Sequence, residues 1–277
     1  MSYPSSRRSF LGAGAAVYAL SGARAPGALP DEGHVFKPGV ASYSFRKFSR
    51  ERAIQMTLAL GVRDINIKSF HLPLESTPEQ IRAARAEFEG AGLSIDGGGN
   101  IAFDKEDDDA IRRTFEYARL AGMPLMVCAP TLRTLPMLEK FVREYDIRLA
   151  IHNHGPEDKI FPTPQAVLAA VKGMDARIGC CVDVGHTLRA GADPVGSLAD
   201  AGPRLLDIHM KDLRKPAEGQ DCPVGDGIMP VVAIFRQLHK MGYAGGVMLE
   251  YEAEADNPFP GMQKSFAYMR GVLAAMQ

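Results

Sequence analysis

The sequence predicts a single-domain (β/α)8 barrel, the architecture known as a TIM barrel, and three observations support this fold class. After Pro38, short apolar segments alternate with longer segments of helical spacing, and each kind occurs eight times in about 250 residues. Most of the short segments lack apolar–polar alternation, as expected of parallel strands that are covered on both faces. No linker or change in composition divides the chain, so one barrel domain is predicted over residues 36–277.

The predicted strands are short and apolar, and the predicted helices carry start and stop signals. The strands are predicted at residues 39–45, 64–70, 93–96, 125–129, 148–152, 178–184, 205–210 and 246–251. The helices are predicted at residues 50–60, 78–91, 107–121, 135–145, 164–172, 194–201, 230–241 and 261–276. Thr77, Pro78 and Gln80, for example, match a helix N-cap, a proline at the first helical position and a capping-box partner. A doubly wound open sheet is the alternative, but it usually needs a glycine-rich phosphate loop after its first strand, which this sequence lacks.

The first 30 residues differ from the remainder and are predicted to be an export signal with a short linker. Arg7 and Arg8 precede an apolar, small-residue stretch at residues 11–20, and residues 23–25 match an A-x-A cleavage site. The arginine pair followed by Phe-Leu resembles a twin-arginine export signal. The sequence therefore predicts an exported protein, periplasmic or otherwise extracytoplasmic, with the export machinery as a partner. A retained membrane tether and a disordered basic tail are the alternatives.

Charge and cysteine content exclude several classes of protein. The net charge is −1 and the charged residues are well mixed, so a nucleic-acid partner is not expected. The four cysteines contain no C-x-x-C pair, so no cysteine zinc site is predicted, and a domain of this size does not need a disulfide framework. All four are interpreted as buried structural residues: Cys128, Cys180, Cys181 and Cys222. The sequence leaves open whether the protein forms a homo-oligomer.

Histidines cluster at one end of the predicted strands, the end at which (β/α)8 barrels carry their chemistry. Five of the seven histidines lie at or just after the carboxyl end of a strand, whereas His34 and His239 lie elsewhere. These five are His71, His152, His154, His186 and His209. Scattered surface histidines would not follow the strand ends in this way.

Acidic residues accompany these histidines in the last strands. Asp183 lies near the end of one strand, and Glu250 and Glu252 share one face of another because side chains alternate along a strand. Burying these charges without a partner is costly, and a cation bound by nitrogen and carboxylate oxygen removes that cost. Such ligands without thiolate suit Mn²⁺, Co²⁺, Fe²⁺ or Zn²⁺. The sequence therefore predicts one divalent metal ion, with hydrogen-bonded structural groups as the alternative.

Residues 183–186, Asp-Val-Gly-His, and residues 209–212, His-Met-Lys-Asp, form two short motifs at strand ends. They resemble the D-x-G-H and H-x-K-D segments of the xylose-isomerase-like barrel superfamily, the sugar phosphate isomerase and epimerase type. The resemblance implies one divalent metal held by an acid, an Asp, a His and a Glu from four successive strands. On this resemblance Asp183, His209 and Glu250 are metal ligands, since they match three of these positions.

The fifth strand departs from the family pattern, because residues 152–154, His-Asn-His, stand where many members supply a glutamate. His152 is therefore predicted as the fourth metal ligand. The predicted catalytic residues are Glu250 and, as proton shuttles in place of the missing glutamate, His154 or Glu252. The predicted substrate contacts are Lys68, His71, His186 and Lys211.

A site of this kind abstracts a proton next to a carbonyl group, while the metal stabilises the charge of the enediolate that develops. The sequence therefore predicts a metal-dependent sugar isomerase or epimerase. The first alternative is a lyase or dehydratase that eliminates a leaving group from a keto-sugar or glycoside, which the missing glutamate and the export signal favour. The second alternative is a sugar-binding barrel without catalysis.

The predicted ligand is a small sugar or sugar derivative without a phosphate group, because sugar phosphates are mainly cytoplasmic. Residues 97–100, Gly-Gly-Gly-Asn, follow the third predicted strand and are predicted to form a flexible loop. An anion-binding nest is the alternative for this segment.

Overall fold

A computed structural model describes residues 36–215 and 219–276, and within these ranges eight parallel strands close into one barrel. In chain order the strands are β1 (Lys37–Ala41), β2 (Asp64–Ile67), β3 (Ser94–Phe103), β4 (Leu125–Pro130), β5 (Arg148–His152), β6 (Ile178–Asp183), β7 (Leu205–Met210), the hairpin strands β8 (Asp212–Leu213) and β9 (Asp221–Cys222), and β10 (Gly246–Leu249). Around the barrel β1 to β7 follow one another, and β10 closes the circle by pairing with β7 and β1. The predicted (β/α)8 fold is confirmed, and the open sheet is excluded.

Helices connect the strands and pack their apolar faces against the barrel. They are α1 (Arg50–Ala59), α2 (Pro78–Gly90), α3 (Asp108–Ala121), α4 (Leu135–Tyr145), α5 (Pro164–Ala170), α6 (Val184–Arg189), α7 (Pro194–Ala201), α8 (Val231–Met241) and α9 (Phe259–Ala274). The capping box predicted for α2 is present, because Thr77 and Gln80 exchange side-chain to main-chain hydrogen bonds. The short helix α6, which carries His186, was not predicted.

The glycine-rich segment at residues 97–100 lies inside β3, so the loop predicted there is wrong. Gly98 pairs with both β2 and β4, and the register shifts between Gly98 and Ile101. Gly99 has a φ of +118°, and a Cβ at this residue would lie 2.0 Å from the carbonyl oxygen of Val127. The glycines therefore permit two barrel strands to approach closely. Strand propensities do not include this effect, so they do not predict a strand here.

Four predicted strands, the first, the second, the sixth and the eighth, end earlier than expected at the carboxyl edge of the barrel. After β1 the chain forms a 3-10 helix at Ser42–Phe45. β10 stops at Leu249, so Glu250 lies just beyond it. Several residues that the strand patterns place within barrel strands therefore lie in the loops and short helices beyond the carboxyl ends of those strands.

The hairpin of β8 and β9 forms an additional rim element that depends on Asp212. This carboxylate accepts hydrogen bonds of 2.8–3.0 Å from the main-chain N–H groups of Leu213, Gly225, Gly227 and Met229. The last residue of the H-x-K-D segment therefore orders the loop after β9 and contacts no predicted site residue through these bonds.

The apolar core has two parts, one between the barrel and the helices and a smaller one inside the barrel that includes Ala150 and Cys181. The four cysteines are buried and free, as predicted. Within residues 36–215 and 219–276, none of the helices has the length and apolar character needed to span a bilayer. The predicted export signal and His34 lie outside the described residues.

Candidate metal centre

Four strands place four buried side chains around one point at the carboxyl end of the barrel. His152 ends β5, Asp183 ends β6, His209 lies near the end of β7, and Glu250 directly follows β10. The nitrogen and oxygen atoms that could bind a metal all lie within 4.8 Å of one another. The structure therefore brings the four predicted ligands together, because neighbouring strands of a closed barrel converge at one edge.

The distances within this cluster are those of groups that share one central position. His152 Nε2 lies 2.9 Å from His209 Nδ1 and 3.4 Å from Asp183 Oδ2. Glu250 Oε2 lies 3.1 Å from His209 Nδ1. Burial lowers the pKa of His152 well below its usual value, so its ring is neutral and one ring nitrogen carries a lone pair.

Both carboxyl groups of the cluster are ionised despite their burial. Burial alone would raise the pKa of Asp183, but the positive charge of Lys211 and the nearby histidines hold it well below its usual value. Burial opposes ionisation of Glu250 in the same way, and His209, Lys68 and Lys211 together hold its pKa well below the usual range. Deprotonated carboxylates and a neutral imidazole are the forms that bind metal.

The cluster passes a direct test of whether it fits a cation. Asp183 Oδ2 and His209 Nε2 are buried and accept or donate no hydrogen bond to any residue that the structure describes. Lys211 Nζ lies 3.2 Å from Asp183 Oδ2 but lacks the geometry of a hydrogen bond. A buried carboxylate oxygen without a hydrogen bond is costly, and coordination to a cation would remove that cost. Two imidazoles and two carboxylates suit Mn²⁺, Co²⁺, Fe²⁺ or Zn²⁺.

Asn153, which lies between the two histidines at the end of β5, holds the main chain of Asp183. Its Oδ1 accepts from the N–H of Asp183 at 3.0 Å, and its Nδ2 donates to the carbonyl oxygen of Asp183 at 3.3 Å. Asp183 in turn caps α6, because its Oδ1 accepts from the N–H of His186 at 2.8 Å. The main chain of Asp183 is therefore held by Asn153, and its carboxylate is oriented by the N–H of His186 in α6.

Two buried lysines balance the carboxylates of the site. Lys68 Nζ lies 2.9 Å from Glu250 Oε1, and Lys211 Nζ lies 3.1 Å from Glu250 Oε2 and forms an ion pair with Glu252. Burial alone would lower the pKa of Lys211, but the carboxylates of Asp183, Glu250 and Glu252 raise it well above its usual value. Lys211 is therefore a permanent counter-charge among the acids.

A cavity of about 370 Å³ opens over the cluster. Six predicted site residues line it: Lys68, His152, His154, His186, Glu250 and Glu252. Asp183, His209 and Lys211 are buried behind its surface and do not line it. His154 follows β5 and Glu252 follows β10, and β6 and β7 separate these two strands. These two groups therefore reach the cavity from strands that are not neighbours in the barrel.

His154 and His186 form one side of the cavity together with His152. The ring centroid of His154 lies 4.3 Å from that of His152 and 5.4 Å from that of His186. Burial and the proximity of His186 lower the pKa of His154, so its ring is neutral at pH 7 and can accept a proton.

His71 does not line the cavity, although it follows a strand as the other histidines do. Its Nδ1 lies 2.8 Å from Ser42 Oγ, and its Nε2 lies 3.2 Å from the carbonyl oxygen of Phe45. Both ring nitrogens therefore tie the loop after β2 to the 3-10 helix after β1. This placement does not support the predicted substrate contact and gives His71 a structural role.

Four residues that line the cavity were not predicted: Tyr43, Ser69, Phe70 and Asn100. The rings of Tyr43 and Phe70 meet edge to face at 5.7 Å, and the guanidinium of Arg46 lies 4.6 Å from the ring centre of Tyr43. Phe70 is 54% exposed, which is unusual for a ring of this size. Ser69 and Phe70 follow Lys68 directly, so their position at a strand end could have identified them. Asn100 follows three glycines that were predicted to form a loop, so it had no comparable signal.

Comparison of the sequence with models of known protein families identifies the family to which the chain belongs. Residues 57–272 match the family described as xylose isomerase-like TIM barrel. The chain belongs to this family. The match covers most of this xylose isomerase-like barrel, including all four candidate ligands, and it confirms the resemblance drawn from residues 183–186 and 209–212.

Two curated proteins are similar to parts of this xylose isomerase-like barrel. The rhizopine catabolism protein MocC of Rhizobium meliloti is 27% identical over 144 residues, which is 46% of this chain and 44% of that protein. The inosose dehydratase of Clostridium beijerinckii is 26% identical over 106 residues, 32% of this chain and 36% of the relative. The similarity therefore spans less than half the length of either relative.

A solved structure shares the architecture over nearly its whole length. The D-psicose 3-epimerase of Clostridium cellulolyticum H10, solved with D-tagatose, superimposes with a TM-score of 0.71 at 17% identity. The superposition covers 86% of this chain and 99% of the epimerase. At this low identity the likeness shows that the fold is the same.

Proposed function

We propose that this chain is a divalent-metal-dependent sugar isomerase or epimerase that abstracts a proton next to a carbonyl group. One observation carries the proposal. The cluster of His152, Asp183, His209 and Glu250 lies at a cavity that is also lined by two candidate proton acceptors, His154 after β5 and Glu252 after β10. Cavities of this kind in (β/α)8 barrels lie at the end of the barrel where enzymes carry out their chemistry.

The four clustered residues would hold the metal ion. When bound, a divalent ion supplies positive charge that stabilises the negative charge developing on the substrate oxygen atoms. Asn153 and the N–H of His186 orient Asp183 in advance. Such hydrogen bonds to a ligand reduce the reorganisation that binding requires.

His154 and Glu252 are the proposed proton-transfer groups. His154 is neutral because burial lowers its pKa, so it can take a proton from a substrate carbon at neutral pH. Glu252 reaches the cavity from the end of β10 and is held there by its ion pair with Lys211. Glu250 is also a proposed catalytic residue, since its Oε1 contacts Lys68 at the cavity surface. Two separate proton-transfer groups suit a reaction that removes a proton on one side and returns it on another.

The proposed substrate is a sugar or sugar derivative without a phosphate group. Lys68 is the one lysine or arginine among the described residues lining the cavity, and it is paired with Glu250. A phosphate would meet further carboxylate charge from Glu252, and among the described lining residues no lysine or arginine is left unpaired. Lys68 and His186 are proposed to bind substrate oxygen atoms, and the rings of Tyr43 and Phe70 provide an apolar side for a carbon face.

A lyase that eliminates from a keto-sugar or glycoside is the second candidate. The observation that favours it is His152, an imidazole that replaces the carboxylate expected at the end of β5 and leaves fewer groups for returning a proton. The similarity to an inosose dehydratase points in the same direction. Elimination needs one base next to the carbonyl and an acid for the leaving group, which His154 and Glu252 also provide.

Incubation of Mn²⁺-loaded protein with free ketoses and with keto-glycosides in D₂O tests the proposal. Deuterium in a stereoisomer or positional isomer of the substrate is the expected result. Release of the aglycone would instead establish the lyase. Binding without exchange or release would overturn both and leave a sugar-binding barrel.

The variants His154→Gln and Glu252→Gln report on the proposed proton transfers. Each is expected to lower the rate of exchange by about 10²–10⁴-fold, the usual contribution of one acid–base group. Metal content is expected to stay unchanged, because neither side chain belongs to the four-residue cluster. Wild-type exchange in both variants would remove these residues from the mechanism.

A further inference from the structure

Polar side chains continue inside the barrel beneath the candidate metal centre. Asp207 precedes His209 by two residues on β7, so both side chains point to the same face. Only 2% of Asp207 is exposed, and Asn66 on β2 is equally buried. The proposed reaction uses neither residue, yet a buried carboxylate is costly and replaces the apolar side chain that a barrel interior would favour.

The barrel holds the carboxylate of Asp207 in one position. Asn66 Nδ2 donates to Asp207 Oδ2 at 2.6 Å, and the thiol of Cys181 contacts the same oxygen at 3.9 Å. A Cβ at Gly246 would lie 2.8 Å from Asp207 Oδ1, and one at Gly97 would lie 2.7 Å from Asn66 Oδ1. Glycines on β10 and β3 therefore leave the space that this pair of side chains occupies.

His209 faces the metal cluster with one nitrogen and Asp207 with the other. Its Nδ1 lies 2.9 Å from His152 Nε2 and 3.1 Å from Glu250 Oε2. Its Nε2 lies 3.9 Å from Asp207 Oδ2 and has no hydrogen-bond partner within the described ranges. The two ring nitrogens are therefore divided between the ligand cluster and the carboxylate beneath it.

If Nδ1 of His209 binds a metal ion, Nε2 of the same ring needs a hydrogen-bond acceptor. A neutral imidazole that coordinates through Nδ1 carries its proton on Nε2, and a buried N–H needs an acceptor. Asp207 Oδ2 lies on that side, and a closure of about 1 Å would bring the two atoms to hydrogen-bond distance. Asn66 fixes the same carboxylate from β2 and so limits where it can move.

We propose that Asp207 is a positioning residue of the metal centre, which accepts the Nε2–H of His209 and thereby fixes the ring with Nδ1 towards the metal. Asn66 anchors Asp207 in this role. This inference rests on the proposed metal dependence and adds a carboxylate that acts through a ligand without touching metal or substrate. Carboxylates in this relation to a ligating histidine fix its tautomer and raise its basicity.

Metal titration of the full chain tests the inference with Asp207→Asn. Affinity for Zn²⁺ is measured by competition with a chromophoric chelator, and the visible absorption of the Co²⁺-loaded protein reports the ligand geometry. Asp207→Asn is expected to bind Zn²⁺ about 10–100-fold more weakly and to change the Co²⁺ spectrum. The matched control is Asp96→Asn, which removes a carboxylate paired with Lys37 on β1 and is expected to change neither readout.

The outcomes separate this inference from the proposed function. If the wild-type chain binds neither Zn²⁺ nor Co²⁺, the proposed metal dependence fails. If the wild type binds metal and Asp207→Asn shows the same affinity and the same Co²⁺ spectrum, Asp207 has no positioning role. Should Asp207→Asn fail to fold, Asn66→Ala is measured in its place. Weaker Zn²⁺ binding with an altered spectrum then supports the inference, and wild-type behaviour contradicts it.

Discussion

Asp183 combines two roles in one side chain, and its two carboxylate oxygens divide them. Oδ1 caps α6 through the N–H of His186. Oδ2 faces His152 at 3.4 Å and accepts no hydrogen bond from the part of the chain that the structure describes. The loss of a helix cap costs about 1 kcal/mol. The loss of Oδ2 removes a proposed ligand, so the two effects can be distinguished.

Asp183→Ala and His209→Ala are expected to lose the bound metal while they retain the fold. Metal content after dialysis gives the first readout and far-UV circular dichroism the second. His239→Ala is the control, because this histidine is exposed on α8 and distant in sequence from the strand ends. Full metal stoichiometry in both site variants would rule out the proposed ligands.

At the level of single residues, strand-end position and side-chain type predicted where most site residues would lie. The same position was misleading for His71, which bonds to Ser42 and Phe45, because a loop after a strand can turn its side chain away from the barrel centre. Asp207 was missed, because an acid inside a strand has no local pattern that separates it from a surface charge.

At the level of elements, β3 shows how contacts between strands override local preference. Glycine runs disfavour strands, yet β3 continues through residues 97–100 because neighbouring strands hold it on both sides. The φ of Gly99 and the nearness of Val127 leave no space for a side chain. The segment also delivers Asn100 to the cavity, so its glycines contribute to the site through the backbone.

Gly99→Ala is expected to lower the free energy of unfolding by about 2–4 kcal/mol, since it adds both a steric overlap and an unfavourable φ. Urea unfolding followed by circular dichroism measures the change. Gly271→Ala is the matched control. It lies within α9, a Cβ there meets no atom within 4 Å, and alanine is the better helix former, so a gain of about 0.5–1 kcal/mol is expected. Equal stability of the two variants would contradict this account of β3.

At the level of the whole molecule, closure of the barrel gathers residues that are far apart in sequence. His152 and Glu250 are separated by 98 positions, yet both belong to the same cluster of ligand atoms. A folded barrel that binds its metal before transport would suit the twin-arginine route, and we propose that the chain is exported. Its predicted signal precedes the described barrel in the sequence.

Replacing Arg7 and Arg8 together by lysine is expected to prevent export. Cell fractionation with an antibody against the barrel measures the distribution, and the wild type is expected in the extracytoplasmic fraction. The control is Lys37→Arg, which keeps a basic residue in the first barrel strand. Cytoplasmic wild-type protein, or unchanged export of the arginine variant, would disprove the predicted signal.

The sequence by itself determined the barrel, the order of its eight barrel strands and the strand ends at which polar residues collect. These features follow from short-range patterns of apolar spacing, helix caps and polar residues at strand ends. Each such pattern lies within one segment and can be recognised without knowing which segments pack against it. Only the tertiary structure decided that Gly99 belongs to a strand, that His71 does not line the cavity and that Asp207 lies under His209. Those outcomes depend on the register of adjacent strands and on the closure of the barrel. Both bring together residues that are far apart in sequence, so the pattern of one segment cannot predict the distances between them.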